Sequence, residues 1–150
     1  MKVYRICKEI YSQDLTGTGS KIVGGRWNFK GVSVLYTSGT VSLCTLECLA
    51  HFPPAFAPKD MALTIIEVPE DSIKELTTYD LPEDWRTVPP PKRLKDIGYH
   101  WIKRQEHLIL KVPSTIVKEE NNYIINPFHK DFSKVKLLET LSFEFDSRIL

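Results

Sequence analysis

The chain has 150 residues, 42% hydrophobic and 26% charged, which is ordinary composition for one globular domain with its own core. The formal net charge of +1 gives no global attraction to nucleic acid. No window approaches the roughly 20 apolar residues of a membrane helix, and the N-terminus lacks the apolar run of a secretory signal. The expectation is a single cytoplasmic domain spanning 1–150, off the membrane and without direct nucleic-acid contact. Cys7, Cys44 and Cys48 are odd in number, and no second Cys or His pair completes a tetrahedral site, so they read as reduced thiols without a metal.

Taken in chain order, alternation over Val3, Arg5 and Cys7 predicts a first strand. Asp14 to Gly25 is rich in Gly, Ser and Thr and reads as mobile or tightly turned backbone. Val34 to Tyr36 is a second strand. Ser38-Gly39-Thr40 offers an N-cap to a helix over Val41 to Phe52, closed by Pro53-Pro54. Leu43, Leu46, Leu49 and Ala50 form its apolar face. Met61 to Val68 is the strongest strand signal, bounded by Pro58 and Pro69. Ser72 to Leu76 is a short strand or turn, and Pro82 to Pro91 is a loop anchored by Trp85. A second helix spans Arg93 to Gln105, with Gly98 costing it about 1 kcal/mol relative to alanine.

Leu108 to Val112 is a strand, with Pro113 at an edge or irregularity. Ile116-Val117 and Tyr123 to Ile125 are short strands, joined by a turn at Asn121-Asn122. Lys130 to Val135 is one helical turn. Thr140 to Ile149 is the last strand, with Leu141, Phe143 and Phe145 on one face. Six or seven strands and two helices make an α+β chain. The alternation of a doubly wound sheet is absent, as are the glycine fingerprint for dinucleotides and the Walker phosphate loop. Eight acids lie between residues 60 and 84 against Lys74, and six Lys or Arg lie between 86 and 107 against Asp96 and Glu106. Both runs read first as solvated surface.

A few residues carry chemistry. Arg26 follows two glycines, which let the backbone turn and aim a guanidinium inward. It suits either a phosphate, bound bidentately, or a structural ion pair. Trp27 reads as core. Tyr36 ends a strand, placed either to stack on a planar base or simply to pack. Glu47 falls between Leu46 and Ala50 on the apolar side of its helix, where an acid must be paired or functional. A carboxylate of this kind stabilises the oxocarbenium-like centre left when a leaving group departs from a ribose anomeric carbon. A leaving group that is already cationic departs without a proton donor, so one glutamate and one phosphate-binding arginine suffice for such a reaction. Ser114, after Pro113, serves a ribose hydroxyl, a phosphate or a local turn. No Gly-x-Ser-x-Gly elbow is present, and the four histidines lack metal-ligand spacing.

Tyr4-Arg5, Gly25-Arg26-Trp27-Asn28, Leu35-Tyr36-Thr37-Ser38, Leu46-Glu47, Val112-Pro113-Ser114, Asn122-Tyr123 and Asn126-Pro127 together resemble the RES domain family, named for its Arg, Glu and Ser. The resemblance runs from Tyr4 to the Phe143-Glu144-Phe145-Asp146 stretch. It implies an ADP-ribosyltransferase-like fold, with twisted, mostly antiparallel sheets around an NAD cleft and a few helices. It implies a bacterial toxin with NAD as substrate and no metal. Arg26, Tyr36 and Glu47 take the catalytic positions. Arg26, Tyr36, Ser114, Arg5 and Asn126 are expected to bind the dinucleotide. Cleavage of the nicotinamide bond is common to the family, with water, phosphate or a protein as acceptor. The implied partner is a helix-turn-helix antitoxin, and a homodimer is a weaker expectation. A nucleotide-binding module without catalysis and a nucleic-acid-interacting protein are the alternatives from other classes.

Overall fold

The computed structural model describes residues 1–53, 56 and 58–149. Among these, seven strands form one sheet: β1 (Lys2–Lys8), β2 (Leu35–Ser38), β3 (Met61–Glu67), β4 (Ile73–Glu75), β5 (Ile109–Pro113), β6 (Asn121–Ile125) and β7 (Lys136–Phe143). Their order is β4-β5-β6-β2-β1-β3-β7. Every neighbouring pair is antiparallel except β4 and β5. The fold is therefore α+β with one mostly antiparallel sheet.

That sheet nearly divides. β1 pairs with β3 along its whole length, and β2 pairs fully with β6. Between them, β1 and β2 meet only at Tyr4 and Ser38. Away from that contact the two half-sheets splay apart, and this opens the ground on which the site is built. Helix α2 (Val41–Leu49) packs across the split, against both β1 and β2.

Side-chain alternation along the strands divides the core between the two faces. Leu110, Val112 and Ile124 face one way and pack with Trp27, Trp85, Leu94 and Trp101 beneath α3 (Lys92–Arg104). Ile109, Ile125 and Leu35 face the other way, with Val3, Ile66, Val68 and Val135. Trp85 anchors its loop in the first cluster, as expected from the sequence. Gly98 lies on the buried side of α3 and admits the backbone of Trp27. A Cβ there would stand 1.8 Å from the Trp27 carbonyl oxygen.

Several boundaries differ from expectation. The Gly-, Ser- and Thr-rich segment holds a six-residue helix, α1 (Thr18–Val23), between Gly17 and Gly24, both at positive φ. Those glycines let the chain enter and leave a helix too short to show hydrophobic periodicity. Ile116-Val117 is a turn, and Asn121-Asn122 belongs to β6. The Ser114 hydroxyl accepts from the amides of Ile116 and Val117 and closes that turn. β7 begins at Lys136 and ends at Phe143, because strong pairing with β3 outweighs its polar composition. In α2, Leu46 is exposed, and the sheet-facing residues are Leu43 and Cys44. Thr40 caps the helix, accepting from Leu43 N at 3.1 Å. Pro53 follows α2, while Pro54, its expected partner in ending the helix, lies outside the described residues. Among the described residues no helix is long and apolar enough to cross a membrane.

Candidate active site

The splay between β1 and β2 holds a cavity of about 170 Å³, lined by Arg5 from β1, Tyr36 and Ser38 from β2, and Cys44, Glu47 and Cys48 from α2. A larger cavity of about 660 Å³ adjoins it, lined by Gly25, Arg26 and Trp27, by Val88 and Pro90, and by Lys95 of α3. Tyr36, Glu47, His51 and Asn122 line both. They mark the junction of one two-lobed cleft. Its larger lobe alone is in the range of small-molecule sites, about 300–1,000 Å³.

Glu47 stands at this junction because α2, capped by Thr40, turns that position toward the split. Its Oε1 accepts two hydrogen bonds, from Ser114 Oγ at 2.8 Å and from Asn122 Nδ2 at 2.7 Å. The bond from Asn122 is at the short end for an N–H donor, as expected for one made to a carboxylate, and that from Ser114 is of ordinary length. Among the described residues Oε2 takes no hydrogen bond and Glu47 forms no ion pair. One oxygen is anchored and the other is available to the cleft.

Arg26 is held by a distant loop. Its Nη1 donates to the carbonyls of Trp85 at 2.9 Å and Thr87 at 3.1 Å. Partial burial draws its pKa below the ordinary arginine value, opposed by the negative charge of Glu47 and by Tyr36. The guanidinium keeps its charge. Among the described residues Nε and Nη2 of Arg26 donate to no protein group, which leaves an edge of the fork for an anion.

Tyr36 is fixed at its hydroxyl, which accepts from Trp27 N at 3.0 Å and donates to Asn28 Oδ1 at 2.6 Å. Burial pushes its pKa well above the usual phenol value, so it stays neutral. Asn28 is buried and its amide ties the loop together, donating to the carbonyls of Ser20 and Val32. Gly25 closes the arrangement, since a Cβ there would stand 2.7 Å from the Tyr36 hydroxyl. The Gly-Arg-Trp-Asn run is thus one small machine: Gly25 makes room, Trp27 and Asn28 grip Tyr36, and Arg26 is delivered to the lobe.

The other expected residues fall differently. Arg5 lines the smaller lobe, and its Nη1 donates to the carbonyl of Asp14 at 3.0 Å. Ser114 is fully buried and lines neither lobe. Its hydroxyl donates to Glu47 and accepts two amides, so it stands behind the carboxylate. Asn126 is fully buried and lines neither lobe. Its Oδ1 accepts from Phe128 N in the turn after β6. The asparagine of the cleft is Asn122, four residues earlier. An expected turn at Asn121-Asn122 hides it, and the signal that reveals it is period-two alternation, which puts Asn122 and Ile124 on one face of β6. Cys44 and Cys48 line the smaller lobe as free thiols, which burial pushes up to about 12 and about 11. Among the described residues no cluster of three His, Cys, Asp or Glu is placed to hold a metal.

A sequence profile of the RES domain matches residues 2–146. The chain is 39% identical over 151 residues to Toxin Res of Yersinia enterocolitica, covering 99% of each protein. It is 35% identical over 142 residues to the Prs ADP-ribosylating toxin of Sphingobium sp. strain YBL2, covering 93% of this chain and 88% of that protein. Among solved structures, a chain of the M. tuberculosis MbcT–MbcA toxin–antitoxin complex superposes with a TM-score of 0.76 at 17% identity, covering 95% of this chain and 84% of the other. At that identity the likeness is one of fold.

Proposed function

The chain belongs to the RES domain family, and from that premise we propose that it is a toxin that breaks the bond between nicotinamide and ribose in NAD. The observation that carries this reading is the state of Glu47. One carboxylate oxygen is doubly anchored and the other is open at a junction flanked by an arginine in each lobe.

The chemistry follows from charge. The C1′–N bond breaks with its electron pair going to nicotinamide, whose cationic ring becomes neutral. Positive charge moves onto the ribose, and a carboxylate fixed beside it lowers the barrier because it is already oriented when the charge develops. Arg26 holds the diphosphate through its free edge, and Arg5 adds positive potential from the smaller lobe. Tyr36 bounds the junction, its hydroxyl committed to Trp27 N and Asn28. With water as acceptor, the oxygen adds to C1′, a proton is released, and the products are ADP-ribose and nicotinamide. With phosphate as acceptor, the sugar phosphate forms instead. Either outcome depletes NAD, and an NAD-consuming cleft acts where NAD is, in the cytoplasm.

A second reading is favoured by one observation. The Sphingobium relative is named as ADP-ribosylating, so a protein side chain is the alternative acceptor at the same centre. In both readings the cleft is open to solvent, and control comes from an antitoxin partner, as suggested by the MbcT–MbcA complex. The test is release of nicotinamide from NAD by the purified protein, with the second product identified in buffer, in phosphate and in cell extract. Free ADP-ribose, ADP-ribose phosphate or labelled protein would each name the acceptor. No nicotinamide under any condition would end the proposal.

A further inference from the structure

We infer that Asn122 is a positioning residue of this reaction: its side-chain amide fixes the rotation of the Glu47 carboxylate and makes Oε2 the oxygen that meets the ribose. The inference rests on the NAD-cleaving reading given above and adds a role for a residue outside the Arg, Glu and Ser signature.

A glutamate carboxylate turns freely about its last torsion, which is broad and nearly two-fold. A single donor leaves it able to swing. Here two donors from different segments meet the same oxygen. Ser114 reaches Oε1 from the end of β5, and Asn122 reaches it from β6. Asn122 cannot follow a swing either. Its backbone is paired with Ser38 on one side and Val112 on the other. Its amide is also set end for end, because Oδ1 accepts from Ser38 Oγ at 2.8 Å, leaving Nδ2 toward Glu47. Ser38 is itself buried. The chain Ser38–Asn122–Glu47 therefore carries the geometry of β2 and β6 to the carboxylate. Asn122 also lines both lobes, at the junction where the reacting sugar must lie. Removing its N–H leaves the charge of Glu47 in place but lets Oε2 wander, so the loss falls on turnover rather than on binding of NAD.

The experiment is steady-state nicotinamide release by the wild type, Asn122→Ala, Asn122→Asp, Glu47→Ala and the Glu47→Ala/Asn122→Ala double variant, with melting curves as fold controls. Asn122→Ala is expected to lower kcat roughly ten- to a hundred-fold, the worth of a hydrogen bond to a charged group. KM for NAD should move by less than about three-fold. Asn122→Asp keeps the shape and replaces the donor with an acceptor, so it should lose at least as much, and it carries the test if the alanine variant does not fold. In the Glu47→Ala background, Asn122→Ala should change the residual rate by less than about two-fold, because its effect acts through Glu47. Wild-type kcat in Asn122→Ala, a change confined to KM, or the same loss with Glu47 absent would each overturn the inference. A wild type that releases no nicotinamide would remove the reading beneath it, a result distinct from all of these.

Discussion

Replacing Gly98 with alanine sets two physical effects of opposite sign against each other. In an exposed helix, Gly→Ala stabilises by about 1 kcal/mol through backbone entropy. In α3, the new Cβ would stand 1.8 Å from the Trp27 carbonyl oxygen and 2.9 Å from its carbon. Carbon and oxygen approach no closer than about 3.3 Å without cost, so helix and loop must separate by roughly 1.5 Å. The obstacle is backbone on both sides, so no side chain can rotate away. Overpacking of this kind costs about 1–3 kcal/mol, occasionally more, and the upper end applies here. The net expectation is destabilisation by about 2 kcal/mol, or roughly 4–8 °C in Tm for a chain of this length. The effect should reach the cleft, because Trp27 N holds the Tyr36 hydroxyl and Arg26 is its chain neighbour. A displacement near 1 Å is enough to lower turnover by about a hundred-fold. Urea and thermal unfolding, read beside nicotinamide release, measure both. A Gly98→Ala protein that is more stable than wild type by about 1 kcal/mol would show that propensity governs and that the Trp27 contact does not constrain the helix.

Ser114→Ala should cost about 1–3 kcal/mol in urea unfolding, because it strands the amides of Ile116 and Val117; it should lower kcat without raising KM, whereas a raised KM would mean that Ser114 touches NAD. Arg26→Lys loses the hydrogen bonds to Trp85 and Thr87 and the planar fork, so KM for NAD should rise by roughly ten-fold or more, checked by initial rates over NAD concentration. Cys44 and Cys48, with thiols pushed up to about 12 and about 11, should resist iodoacetamide at pH 8, where only about a thousandth or less is thiolate. Their folded pKa values exceed the unfolded thiol value near 8.5, so the folded state favours the neutral form. Stability from this source is full below about pH 8.5 and declines as pH rises toward 11–12, which unfolding curves across that range would record.

Elements with strong periodicity were legible. The alternation of β1, the apolar run of β3 and the spacing of α3 all lead to structure near the expected residues. The placement of Glu47 on the cleft side of α2 is legible as an acid on the helix's apolar side, although the apolar spacing includes Leu46, which is exposed, and Cys44 and Cys48 are the residues that accompany Glu47 toward the split. What stayed hidden depends on contacts far apart in sequence. Nothing local says that Trp85 and Thr87 grip Arg26 from 59 and 61 residues away. Nor does the local pattern show that Ser114 turns its hydroxyl inward to a helix 67 residues earlier. The place of Asn122 on the cleft wall has the same origin. A turn fixed by a serine hydroxyl leaves no trace in hydrophobic period, so the sequence pattern points to a hairpin turn a few residues after the real one, at the position where Asn122 sits in β6.

The most direct measurement is nicotinamide release at saturating NAD by wild type and by Glu47→Gln, with circular dichroism showing that both are folded. Glutamine keeps the shape and removes the negative charge that meets the developing cation. If that charge is worth about 3–4 kcal/mol, kcat falls by roughly a hundred-fold or more while KM stays near its wild-type value. A folded Glu47→Gln protein that turns over NAD at the wild-type rate would contradict the assignment of Glu47 as the group that carries the reaction.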